Sequence, residues 1–120
     1  MPFNYLLTNL LVDVPGSVGA ILVDPEGEAV EWVTRHDDPY DLKVEGAYHS
    51  IFMRQLESAL AASALGEIRS YALAGQRLTS LTQSLPDGYY VVLVIDRSGS
   101  QAQAMEQLGR TAQVLAREIA

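Results

Sequence analysis

Two short runs, residues 18–23 (Val-Gly-Ala-Ile-Leu-Val) and 89–95 (Tyr-Tyr-Val-Val-Leu-Val-Ile), contain no charged side chain and no polar one beyond the tyrosine hydroxyls. Alternate residues of a strand point to opposite faces of its sheet, so a strand that is apolar throughout must be covered on both sides. The two runs therefore belong next to each other at the centre of a sheet, with helices on both faces. Few layouts satisfy that requirement in 120 residues.

The remaining segments supply the covers and the outer strands. Residues 4–14 place Leu6, Leu7, Leu10, Leu11 and Val14 on one helical face, and Pro15-Gly16 ends the helix. Asp24-Pro25-Glu26-Gly27 is a turn, followed by a partner strand at 28–35. Val30, Trp32 and Thr34 share one face of that strand, with Glu31 and Arg35 on the other. An acidic, proline-containing loop spans 36–41, and a long helix follows over 42–64, ended by Gly66. Three strands then form a meander at 67–74, 77–85 and 89–95. The last helix, 101–119, aligns Met105, Leu108, Ala112, Leu115 and Ile119 in one narrow stripe, with Ser100 and Gln103 at capping-box spacing. The order α-β-β-α-β-β-β-α predicts a single α/β (α+β) domain over 1–120. Its five-stranded antiparallel sheet should run 2-1-5-4-3, with one long helix on one face and two helices on the other.

The 42–64 helix is the unusual element. Its apolar side chains (Val44, Tyr48, Ile51, Phe52, Leu56, Ala59, Leu60, Ala62) cover an arc of roughly 200°, whereas lying on one sheet needs only about 100°. The excess points to a second buried contact, and Ala59, Ala61, Ala62, Ser63 and Ala64 let another backbone come close. The strand edges differ as well. The second strand carries Glu28, Glu31 and Arg35, the kind of charge that guards an edge. Between Ile68 and Ala74 the third strand has only Arg69, and no proline. Two subunits are therefore expected to join third strand to third strand, with their long helices packed across the two-fold axis. That expectation places Phe52, Ala59, Ala62, Ser63, Ile68, Ser70, Tyr71 and Ala72 at a dimer interface.

The formal net charge is −7. Eight carboxylates between Asp24 and Glu45 (Asp24, Glu26, Glu28, Glu31, Asp37, Asp38, Asp41, Glu45) stand against Arg35 and Lys43, so this stretch holds nearly all of it. Such a chain repels phosphate backbones and anionic lipid heads, which excludes nucleic acid and bare membrane as natural partners. No apolar run approaches the ~20 residues that span a bilayer. The leucine-rich start, broken by Asn9 and Asp13, lacks the basic segment and cleavage site of a signal peptide. There is no cysteine, hence no disulfide, thiolate or cysteine-bound zinc. A cytoplasmic protein without membrane insertion is expected.

Catalytic candidates fail on geometry. His49 and Ser50 are helix neighbours and do not face each other, which makes each a surface or interface residue. Asp24 and Asp96 both follow apolar strands, but antiparallel pairing of those strands puts them at opposite ends of the sheet. His36-Asp37-Asp38 with Asp41 offers one imidazole in an acidic loop, a solvated segment rather than a metal centre. Asp96-Arg97-Ser98-Gly99-Ser100 precedes a helix, where anions can bind, yet it has no P-loop pattern and reads as a helix cap. Trp32 reads as a core or interface aromatic. No enzyme activity, cofactor or metal is expected.

The stretch from Leu10 through Pro15-Gly16-Ser17-Val18-Gly19-Ala20-Ile21-Leu22-Val23-Asp24-Pro25-Glu26-Gly27 is similar to the opening of roadblock domains. Residues 42–56 around Gly46-Ala47-Tyr48-His49, and the Leu85-Pro86-Asp87-Gly88-Tyr89 turn, resemble the same family. The resemblance, which covers nearly the whole chain, is to the roadblock (dynein light-chain-type) family, in the single-domain bacterial branch typified by MglB. It implies a homodimer that regulates a Ras-like small GTPase in signalling, cell polarity or motility. Glu45, Tyr48, His49, Phe52, Gln55 and Leu56 would then face the partner, with Arg54, Arg69, Arg97 and Arg110 as undistinguished arginine-finger candidates. A scaffold indifferent to nucleotide, or a small-molecule sensor on a profilin-like layout, are the alternative functions.

Overall fold

The computed structural model describes the backbone of residues 2–35 and 40–119 and, within these, all side chains except those of residues 2, 40–47 and 50. The elements are α1 (Pro2–Asp13), β1 (Ser17–Val23), β2 (Ala29–Thr34), α2 (Tyr40–Leu60), β3 (Ser70–Ala74), β4 (Leu78–Ser84), β5 (Tyr90–Asp96) and α3 (Gln101–Ile119). The strands form one antiparallel sheet in the order β2-β1-β5-β4-β3, as the two apolar runs require.

Pairing of β1 with β5 sets Ala20 against Leu93, Ile21 against Val92 and Leu22 against Val91. The alternating residues then divide into two cores. Ala20, Leu22, Leu81, Val91, Leu93 and Ile95 pack beneath Leu7, Leu10, Leu11 and Val14 of α1 and Ala104, Leu108, Ala112 and Leu115 of α3. On the opposite face Ile21, Val23, Tyr90, Val92 and Val94 join Trp32 under α2, which lies over β1 and β2. One helix thus covers one face and two cover the other.

Side-chain chemistry secures the corners. Gly16 turns the chain after α1 with φ +85°, and a Cβ there would lie 2.6 Å from the Gly99 nitrogen, so only glycine lets the α1–β1 turn pack against the β5–α3 loop. The last turn of α1 leaves carbonyls without helical partners. Ser17 Oγ and Arg35 Nη2 donate to the Leu11 carbonyl at 3.0 and 2.9 Å, while Arg35 Nε donates to the Ser17 carbonyl. At the start of α3 the Gln103 amide N–H donates to Ser100 Oγ at 3.2 Å. The reciprocal half of the capping box does not form. The Gln103 side chain instead donates to the Asp13 carbonyl, joining α3 to the end of α1.

Most boundaries fall within two residues of the sequence expectation, and two differ by more. The long helix stops at Leu60 rather than at residue 64. Residues 61–65 are all exposed, and helical stability in a protein comes mainly from packing, so high alanine propensity alone does not extend the helix. The Leu65 N–H donates to Ser63 Oγ, a local bond that competes with helix. Likewise β3 begins at Ser70 rather than residue 67. The Ser84 N–H still donates to the Arg69 carbonyl at 2.7 Å, and Ser84 Oγ donates to the Ile68 and Arg69 carbonyls, so at Ile68 a side-chain hydroxyl takes the carbonyl.

The stacked core gives a direct stability test. Leu93 is fully buried on the central strand and Tyr5 is 70% exposed on α1. Leu93→Ala should lower unfolding free energy by about 2–5 kcal/mol, and Tyr5→Ala should change it by no more than about 0.5 kcal/mol, both read from urea denaturation midpoints.

Candidate partner interface

Edge and helix meet at one side of the molecule. β3 is the outer strand beyond β4, five residues long and uncharged (Ser-Tyr-Ala-Leu-Ala). β2, at the other edge, carries Glu31. Beside β3, the outward flank of α2 presents Tyr48 at 65% and Ile51 at 55% exposure. These two residues, with His49, Phe52, Gln55 and Leu73 of β3, line a shallow depression of about 300 Å³. Grouped beside an uncharged sheet edge, these open side chains make the junction the candidate contact surface.

Tyr48 and Gln55 are exposed, and Phe52 and Leu56 are half-buried. Phe52 meets the Tyr71 ring edge-on, with centroids 5.4 Å apart. The Glu45 side chain lies outside the described residues. His49, expected at the surface or an interface, is instead only 2% exposed within the single chain. Its Nδ1 shares a hydrogen bond with the Tyr71 hydroxyl, and Thr82 Oγ1 lies 3.4 Å from the same nitrogen. The reason is cross-strand register. Tyr71 and Thr82 pair across β3 and β4 and offer polar partners beneath α2, so the imidazole is satisfied inside.

The residues expected at a dimer interface are spread over this side. Ser70, Ala59, Ala62 and Ser63 are exposed, whereas Ile68, Tyr71 and Ala72 are half-buried. Ala62 and Ser63 sit in the turn after α2, and Ile68 precedes β3. The Ala72 side chain packs against the core on the α1–α3 face, leaving its backbone for the edge.

Elsewhere the geometry separates the chemical candidates. Pairing of Val23 with Tyr90 and of Ser17 with Ile95 puts Asp24 and Asp96 at opposite ends of the sheet. Asp24 Oδ1 accepts the Glu26 and Glu28 amides and so holds the β1–β2 turn. Residues 36–38, the histidine-aspartate cluster, lie outside the described residues, as do the side chains of Asp41 and Ser50; among the described residues no three metal-ligating side chains gather. Arg110 pairs with Glu106 at 2.8 Å on the exposed face of α3, and Arg54 donates to the Pro25 carbonyl. Arg69 and Arg97 are exposed.

No family model matches the sequence, and no curated protein is similar to it. Solved structures do share its shape. A roadblock/LC7 domain from Streptomyces avermitilis superposes with a TM-score of 0.86 at 15% identity, over 97% of this chain and 96% of that one. The chain has the roadblock fold. MglB of Myxococcus xanthus matches with a TM-score of 0.88 at 12% identity, over 99% of this chain and 95% of that chain. The gliding protein MglB of Thermus thermophilus gives 0.86 at 18% identity, over 97% and 88%. Within this roadblock fold the exposed junction lies on α2 and β3, and the cap before α3 is filled from within.

That cap is testable by pH. The Asp96 carboxyl accepts the Ser98 hydroxyl and amide, and these bonds, with a smaller contribution from Arg35, hold it below the usual carboxylate range. A carboxylate lowered on folding contributes stability above its ordinary pKa of about 3.9, and loses it as pH falls through the lower folded value. Asp96→Asn should therefore lower the thermal midpoint at pH 7, with the difference from the parent shrinking below that range.

Proposed function

We propose that this chain is a non-enzymatic, homodimeric binding module that regulates a Ras-like small GTPase. The observation that carries the reading is the coincidence, on one side of the domain, of an uncharged sheet edge with the exposed Tyr48 and Ile51 of α2. Pairing of two β3 strands would satisfy the edge backbone and continue the sheet. It would also bring the two α2 helices together and cover apolar surface that a lone subunit leaves in water. The resemblance to the roadblock family, and a fold shared with MglB proteins, support the dimer and the class of partner. Ser70, Tyr71, Phe52 and Leu73 then lie at or beside the two-fold seam.

The mechanism is differential affinity. A surface made by two α2 helices and the neighbouring turns recognises one arrangement of the GTPase switch loops, and so shifts their population. Acceleration of hydrolysis would come from ordering the GTPase's own groups, since nothing marks out Arg54, Arg69, Arg97 or Arg110 as an arginine finger. Tyr48 and Gln55 are the exposed members of the candidate partner set. Glu45 remains part of the proposal by its place on α2, and His49 acts from within by holding Tyr71.

Two measurements test the reading. Light scattering should give twice the 13.1 kDa chain mass for the parent and a single chain mass for the double variant Ile51→Lys, Leu73→Lys, whose sites are exposed enough to keep the fold. A double variant that stays dimeric removes this seam from consideration. Capture from native lysate with tagged protein, in GDP and in a GTP analogue, should enrich a GTPase in one state. Equal capture in both states would instead make the chain a scaffold.

A further inference from the structure

A second depression opens on a different flank of α2. At 100° per residue, Glu57 lies about 120° or more around the helix from Tyr48, Ile51 and Gln55, with Arg54 between the two flanks. The groove encloses about 790 Å³ between that flank, the β1–β2 turn and the β4–β5 turn. Its walls are held by close contacts. Gly88, at φ +83°, approaches Pro25 so nearly that a Cβ would meet the proline ring at 3.2 Å. The Leu85 amide donates to the Tyr89 carbonyl at 2.8 Å across the β4–β5 turn, and Asp87 takes a left-handed conformation at its tip (φ 61°).

The lining is divided by polarity. Met53 and Leu85, 7% and 9% exposed, form an apolar floor with half-buried Ile68. Glu57, Glu67 and Asp87, all exposed, stand around it. Arg54 also lines the groove, but its Nη2 donates to the Pro25 carbonyl at 3.1 Å. Three carboxylates thus face one guanidinium that is already tied to the wall. An apolar floor with an anionic rim complements a segment carrying both apolar and cationic side chains. In this chain Arg35, Lys43, Arg54, Arg69, Arg77, Arg97, Arg110 and Arg117 fall singly, so no segment of a second copy brings clustered cations to match three carboxylates.

We propose that this groove docks a lysine- or arginine-bearing, partly apolar segment of a different protein. The site does not depend on dimerisation or on the GTPase reading, and it is tested without either. The probe is a fluorescein-labelled peptide of alternating lysine and leucine, with its glutamate-leucine counterpart as control, read by fluorescence anisotropy. The lysine peptide should bind saturably and weaken as salt is raised, whereas the glutamate peptide should not bind.

The triple variant Glu57→Gln, Glu67→Gln, Asp87→Asn should bind about tenfold more weakly, the sum of three exposed charge contacts. Asparagine tolerates the left-handed backbone at Asp87, so the turn is kept. A second triple, Asp13→Asn, Glu106→Gln, Glu118→Gln, removes the same charge from exposed positions on α1 and α3 and should bind like the parent. The single variant Glu57→Gln repeats the test with one exposed change. Absence of saturable binding, equal weakening in both triples, or undiminished binding to the groove triple would each overturn the proposal.

Discussion

The pairing of β1 with β5 governs the rest of this molecule. Both strands are apolar on both sides, so neither can sit at an edge or leave a face in water. Once Ile21 lies against Val92 and Leu22 against Val91, one set of side chains points to each face and each face demands a helical cover. α1 and α3 meet one demand and α2 the other. The outer strands follow by elimination: β2 hangs from β1 through the Asp24 turn, and β4 and β3 extend from β5. Loosening that central pair would expose both cores together, whereas loosening β3 would uncover only the border at Ala72 and His49.

The covers are unequal, and that inequality places the candidate interface. Two helices share the larger core, with Leu7, Leu10, Leu108 and Leu115 all buried. On the other face a single helix spans β1 and β2, and its outer flank is left without a second layer. There the sheet continues outward to β3, where polar side chains replace aliphatic ones. His49, Tyr71 and Thr82 anchor the helix to β3 and β4 with directional contacts, where the opposite face uses bulk. Hydrogen bonds fix relative position more tightly than aliphatic packing does, and a surface built from two elements needs such a fixed position to keep one shape.

Much of this was legible in the residues. The stripe Met105, Leu108, Ala112, Leu115 and Ile119 defines α3 with its observed bounds, and the two apolar runs dictate strand order. The fold class follows from these alone. What escaped sequence reading depended on distant partners. Nothing near His49 in the chain indicates burial; its partners lie 22 and 33 residues away and meet it only through the β3–β4 register. Helical periodicity counts a histidine as polar and assigns it outward. The end of α2 differs for the converse reason, since Ala61 to Leu65 have good local propensity but are all exposed. The groove beside Pro25 and Asp87 could not have been anticipated, because it arises where two turns distant in sequence touch.

The two borders of the sheet are chemically different, and this has a consequence for growth. β2 carries Glu31 and is flanked by the acidic turn at Asp24 and by Arg35; β3 is short and neutral. A sheet with two receptive borders can add strands without end, which is the route to fibres. With one receptive border, the first addition consumes the only template and leaves guarded strands at both new ends. Under the proposed β3 pairing, the same asymmetry would act as a chain terminator, limiting the stoichiometry of edge pairing by chemistry, with no need for a steric stop.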